Sequence, residues 1–303
     1  KSELIESILM GIPIPLMYLF EDKNGKKQVV DGRQRISAIL DFLEGKFKLN
    51  NLRILKQFNG CCFADLDLKQ QGVIEDFQLL FYIIQPPTPE RVKYDIFDRV
   101  NRGGTPLNKQ EMRNALYRGR CTRMLDKLCC SPEFLIATGR SINKERMKDQ
   151  YVVLRAMAFL MLHRGEFKDI PALQYRGDID DFLARFMVYV NDNAPEKLIV
   201  DYENLFIRCM QISYDLLGEN GFRFSGNGIR RPINMPLFEA LSYLFSFVPE
   251  KIDYTWASRL ILDIESVKEE FDDSRYFSGN IDSTTSVSFR FDRMDKIINR
   301  IQL

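Results

Sequence analysis

The sequence predicts an α+β chain, with a small mixed α/β domain over residues 1–85 and a mostly α-helical domain over residues 86–303. Three observations carry that reading. Runs rich in β-branched and aromatic residues alternate with helical patterns up to residue 85. Pro86-Pro87 then closes the last of these runs, where a residue without an N–H can extend neither a sheet nor a helix. From Thr88 onward the apolar residues recur at helical spacing. At 303 residues and 45% hydrophobic content, the chain is long enough for two ordinary cores.

The first element is a helix with Leu4, Ile5, Ile8 and Leu9 on one face, ended by Gly11 and Pro13. Strands are predicted over 14–20 and 27–30 around the turn Asp22-Lys23-Asn24-Gly25. A helix follows Asp31-Gly32, with Ile36, Ile39, Leu40 and Leu43 as its buried face and Gly45 as its stop. FQLLFYIIQ, 77–85, reads as a buried strand. Thr88 and Pro89 suit the start of a helix whose stripe is Val92, Ile96, Phe97 and Val100, and it stops at Asn101-Arg102-Gly103-Gly104. Asn108 with Glu111 forms a variant capping box that opens a helix through Met112, Ala115 and Leu116. Further helices are predicted over 145–164, 179–192, 197–217, 235–247, 256–271 and 290–301. The loop 218–231 is polar, Gly-rich and basic through Arg230 and Arg231, a composition suited to a mobile segment.

Composition removes several chemistries. His163 is the single histidine, so HExxH zinc sites, HNH-type nuclease centres and histidine-based triads are excluded, and its place after an apolar helical run reads as structural. The six cysteines lack CxxC spacing and read as reduced core thiols of a cytoplasmic protein. No apolar run reaches the roughly 18 residues of a membrane span. The chain begins at Lys1 and not at Met, which implies residues upstream. Net charge is +1, distributed as 0 over 1–85, +8 over 86–164 and −7 over 165–303. Two readings of the basic middle stand open: contact with phosphate, or neutralisation by the acidic segment that follows.

Two constellations can carry chemistry. In Asp31-Gly32-Arg33-Gln34-Arg35, two arginines sit where the free N–H groups of a helix already give a positive end. An anion resolves that conflict. Gly32 permits close approach, the guanidiniums of Arg33 and Arg35 can clamp phosphate, Asp31 can hold magnesium and Gln34 can orient a water. The alternative is local: Asp31 caps the helix and the arginines pair with Asp41 or Glu44. The second constellation is Asn101-Arg102-Gly103-Gly104 with Glu111 and Arg113, where paired glycines can form a nest of N–H groups and Arg102 and Arg113 add charge. Its alternative is a glycine cap, a loop and a capping-box glutamate. A weaker set is Arg146, Asp149 and Arg155, the first two at the spacing of a helix pair. No GxxxxGK[ST] loop occurs, Gly226 and Gly228 lack the context of a dinucleotide fingerprint, and the ExK fragments at Glu21 and Glu166 are too common to count.

IPIPLMYLFED, VVDGRQRISAILDFLEGKF and IFDRVNRGGTPLNKQEMRNALYRG, in this order and at these separations, resemble the DGQQR-motif family typified by the GmrS half of GmrSD restriction systems, within the ParB/sulfiredoxin-like superfamily. The resemblance covers residues 1 to about 118 and continues more weakly over 145–159. It implies a ParB-like α/β domain followed by a helical domain, and nucleoside-triphosphate binding or magnesium-dependent hydrolysis at the turn. It further implies a cytoplasmic role in bacterial defence against DNA. Matched by position, Asp31, Gly32, Gln34 and Arg35 fall on the first motif, with Arg33 in place of its first glutamine. Asn101, Gly103, Gly104, Glu111 and Arg113 fall on the second. On this basis Asp31, Gln34, Arg35 and Glu111 are the expected catalytic set, with magnesium at Asp31 and phosphate at Gly32, Arg33, Arg35, Asn101, Arg102, Gly103, Gly104 and Arg113. The expected partners are a nucleoside triphosphate, DNA and a separate nuclease subunit, since one histidine leaves no room for the family's HNH domain; no membrane is implied. The competing reading is a non-catalytic DNA-binding or regulatory module that uses the same groove.

Overall fold

The structure, a computed structural model, describes residues 1–21, 25–85, 107–225, 230–249 and 253–301. The double proline at 86–87, the helix expected from Thr88 to Val100, Asn101 to Gly104, residues 22–24 of the expected first turn, and Gly226 and Gly228 lie outside them. The chain is α+β, with one small sheet and a majority of helix, and it divides into two compact units, Lys1–Leu107 and Asn108–Leu303.

The first unit opens with α1 (Ser2–Leu9), followed by β1 (Met17–Glu21) and β2 (Lys27–Asp31), which pair antiparallel with Tyr18 opposite Asp31 and a bulge after Tyr18. Next come α2 (Arg33–Leu43), α3 (Leu68–Glu75) and β3 (Phe81–Ile84), which pairs parallel with β1 on its other side. The sheet order is β2-β1-β3. Ile5, Ile8, Ile39, Phe42, Leu49, Leu52, Leu66 and Ile74 form a core between the helices and the loop after α2. Glu6 is buried there, and its carboxylate accepts from the N–H groups of Ile54 at 2.8 Å and Leu55 at 2.7 Å. Those backbone hydrogen bonds, Leu55 foremost, overcome desolvation and hold Glu6 below the usual carboxylate range.

Two expectations for this unit are corrected. The buried face of α2 is Ala38, Ile39 and Phe42, and Leu40 is exposed, because the core lies on the side of α1 and the loop at Leu49 and Leu52. The strand near residue 80 is four residues long, and among them only Ile84 is buried. An uninterrupted apolar run does not by itself fix burial, and this strand pairs with β1 along one edge.

The second unit is helical: α4 (Lys109–Leu116), α5 (Arg120–Cys129), α6 (Pro132–Ala137), α7 (Lys148–His163), α8 (Ile179–Asp192), α9 (Glu196–Leu217), α10 (Met235–Phe245), α11 (Tyr254–Asp272) and α12 (Thr284–Ile301). Val152–Met161 of α7 and Pro236–Phe245 of α10 are buried throughout, so these two helices are central. At their contact Glu239 receives Arg155 Nε on one oxygen and Arg290 Nη2, at 2.9 Å, on the other, with all three side chains sealed. Arg155 also reaches Asp282 at 2.6 Å.

His163 is structural, its ring stacked on Phe291 at 3.6 Å and 9°. Its Nε2 is sealed without a partner, and burial depresses the imidazole to about 3. All six cysteines are free, but only Cys121, Cys129 and Cys209 are core thiols; Cys130 is exposed and Cys61 and Cys62 are half-buried. The described arginines of the loop 218–231 are tied down, with Arg230 paired to Glu219 at 2.6 Å and Arg231 paired to Asp272. Among the described residues no helix is long and apolar enough to cross a membrane.

Candidate functional site

β2 delivers the chain to Asp31, Gly32 turns it and α2 begins at Arg33. Gly32 is the N-cap with φ 95, a conformation that L side chains rarely adopt, and a Cβ there would lie 2.4 Å from Met17 Cγ. Both the turn and its packing on β1 therefore demand glycine.

Gly32 has no side chain to cap α2, and the first turn of the helix contains no acidic residue. Asp31 does not serve as a cap. Its Oδ2 instead receives Arg35 Nη2 at 2.5 Å, while Arg35 Nη1 donates to the carbonyl of Pro15. Arg35 thus ties the end of β2, the approach to β1 and the first turn of α2 together. Asp41 and Glu44, the alternative partners for the arginines, are taken by lysines: Lys1 reaches Asp41 at 2.8 Å, and Lys46 pairs with Glu44. Arg33 and Gln34 are exposed and make no hydrogen bond or ion pair with a described residue. Both line an open cavity of about 670 Å³ together with Lys1, Arg35, Ser37 and Ala38.

This arrangement gathers three cations and an uncapped helix start around one cavity that, among the described residues, no carboxylate lines. It can receive a polyanion through the free Arg33 guanidinium and the N–H groups of the first turn. As a magnesium site it offers one carboxylate, Asp31, which would exchange Arg35 for the ion. Among the described residues no group of three metal-ligating side chains occurs. The donor set therefore fits magnesium only as an ion that arrives with phosphate oxygens.

The residues of the second motif that are described belong to the other unit. Asn108 Oδ1 accepts from the N–H groups of Gln110 and Glu111, both at 2.9 Å, and Glu111 Oε2 accepts from Asn108 N–H at 2.7 Å, so the capping box of the sequence is present. The same Glu111 oxygen receives Arg146 Nη2 at 3.1 Å. Arg113 is fully buried, its Nε bonded to Gln110 at 3.0 Å and its Nη1 to Asp180 at 2.7 Å. Burial pushes Asp180 up, but the hydrogen bonds from Lys109 and Arg113 outweigh it and hold its carboxyl below the usual range. The pairing of Arg146 with Glu111, and of Arg155 with Glu239 and Asp282, replaces the local helix set expected of Arg146, Asp149 and Arg155. Asp180 was missed by sequence reasoning: it stands 67 residues from Arg113 in an Asp-rich helix start that reads only as a cap.

Residues 1–118 match the family model described as the GmrSD restriction endonuclease, N-terminal domain. No curated protein and no solved structure matches the chain.

Proposed function

We propose, from the premise that residues 1–118 carry a GmrSD-type N-terminal domain, that the chain is a nucleoside-triphosphate-binding and hydrolysing component of a DNA-restriction or defence system, built on a ParB-like α/β domain. The observation that carries this is the Gly32 turn: an uncapped helix start with Arg33 unpartnered beside it, opening on a cavity of about 670 Å³.

In this reading Arg33 and the amides of the first α2 turn hold phosphate oxygens, and Gly32 lets them approach the backbone. Arg35 positions Asp31 and the turn. Asp31 is the carboxylate that would hold a magnesium ion, which supplies neutralisation of phosphate charge. Gln34, exposed at the cavity and free of protein partners, orients the attacking water. The +8 charge over residues 86–164 supports DNA as the further partner, and a separate nuclease subunit would complete a restriction activity.

The test is phosphate release from each of the four common nucleoside triphosphates with magnesium, with and without duplex DNA. Gln34→Ala is expected to lose turnover while retaining nucleotide, and Arg33→Ala to lose both. If neither variant nor the intact chain turns over any nucleotide, hydrolysis is refuted. A DNA affinity that falls steeply with salt and does not respond to nucleotide would then support the non-catalytic DNA-binding module.

A further inference from the structure

The helical unit has a cavity of its own, of about 300 Å³, where the starts of α4 and α7 meet. Lys109, Arg113, Arg146 and Lys148 line it, and among the described residues no lining residue is a carboxylate. Two carboxylates answer these four cations from outside the lining, Asp180 at Lys109 and Arg113, and Glu111 at Arg146. Lys148 is exposed and pairs with no described residue. Among the described residues, four lining cations face two paired carboxylates, a surplus of two.

Arg113 indicates what the surplus is for. The side chain is fully buried and lines the cavity, and its Nη2 is sealed without a hydrogen-bond partner although Nε and Nη1 are both engaged. A buried guanidinium N–H without an acceptor is costly and is rare in folded proteins. The start of α7 points the same way. α7, 16 residues long, has no side-chain cap: its N-cap Met147 sits at φ 58, after Arg146 at φ 56. Two successive non-glycine residues in the left-handed region are held there with the help of Asn108 Nδ2, which donates to Arg146 O at 2.6 Å.

We infer that this cavity binds a phosphoryl group, as a second anion site in the helical unit that does not depend on the turn at Gly32. Size and surroundings restrict the ligand. The cavity is at the small end of ligand pockets, which run from about 300 to 1,000 Å³, and suits a phosphate or diphosphate better than a whole nucleotide. Tyr151, the aromatic ring at its wall, has Arg113 at 5.2 Å and Arg155 at 5.5 Å from its centroid, and so is already occupied by cations. The group recognised is thus the phosphoryl end of a larger molecule or a free polyphosphate.

The experiment is calorimetric titration of the full chain with inorganic pyrophosphate in an Arg33→Ala background, which removes the free cation of the turn. Pyrophosphate is expected to bind this variant, and Lys148→Ala added to it is expected to weaken binding roughly tenfold, the loss of one charge-assisted hydrogen bond. Lys148 is exposed, so that substitution leaves the fold intact; Arg113→Gln, verified as folded by circular dichroism, is expected to weaken binding at least as much. Loss of all binding in Arg33→Ala alone, or equal affinity with and without Lys148, overturns the second site. Displacement by an oligonucleotide that carries a 5′-phosphate, but not by its unphosphorylated copy, assigns a nucleic-acid end as the source; displacement only by free polyphosphates assigns a soluble one. Failure of the turn as a nucleotide site appears separately, as unchanged nucleotide affinity in Arg33→Ala.

Discussion

At the Gly32 turn Arg33 is exposed and has no described partner, whereas Arg155 and Arg290 in the helical unit are 1% and 0% exposed and share one glutamate, Glu239. The first guanidinium keeps its hydrogen-bonding capacity unused by the described residues. The second pair spends its charge on joining α7, α10 and α12. The contrast shows that an arginine's role is set by what surrounds it after folding: desolvation obliges a buried cation to be paired within the protein, and exposure leaves it available.

The sharpest way to break the contrast is to remove the shared carboxylate. Glu239→Ala leaves Arg290 sealed without an ion-pair partner among the described residues and Arg155 with Asp282 alone, and urea unfolding is expected to show a loss of about 3–5 kcal/mol. An effect below about 1 kcal/mol would show that the buried pair is not sealed as described.

At the turn the comparable structural demand falls on Gly32. Gly32→Ala is expected to cost about 1–3 kcal/mol for its left-handed backbone alone, with the contact to Met17 added. Combining it with Met17→Ala tests whether the two share a cause, because neighbours that clash are non-additive. A double variant no better than the sum of its parts would refute the packing component.

A smaller effect separates the units by pH. In the folded protein His163 ionises only near 3, against about 6.5 in the unfolded chain, so between these values the unfolded state binds more protons. Stability is therefore complete above about pH 6.5 and falls as pH drops, by at most about 1.4 kcal/mol per unit from this group. His163→Phe keeps a ring against Phe291 and is expected to flatten the thermal midpoint between pH 6.5 and 4.5. An unchanged slope would remove His163 from the account.

Much of this could be read before folding was known, and what could not has identifiable causes. Asn108 with Glu111 announced a capping box, Gly45 a helix stop and residues 179–192 a helix, because each depends on contacts within a few residues. The turn at Gly32 and the conflict of its arginines with the helix dipole were legible because both are local, and the first turn of α2 has neither an acidic residue nor a side-chain cap. Asp31 was read as a cap or a metal ligand, but its engagement with Arg35 depends on where Pro15 places the approach to β1. The exposed strand at Phe81 was read as buried because hydrophobicity says nothing about how many strands flank it. The cavity around Arg113 was invisible for a similar reason: its walls come from residues up to 43 positions apart, and its counter-charge Asp180 from further still.

The smallest expected effect on stability tests the central claim most directly. Arg33→Ala removes an exposed side chain with no described partner, so its thermal midpoint is expected to match that of the intact chain, within about 0.5 kcal/mol in stability. Titration of both proteins with a nucleoside triphosphate and magnesium should then show affinity lost in the variant by roughly tenfold or more. Equal affinity in two equally stable proteins would contradict the assignment of the Gly32 turn as the phosphate-binding site.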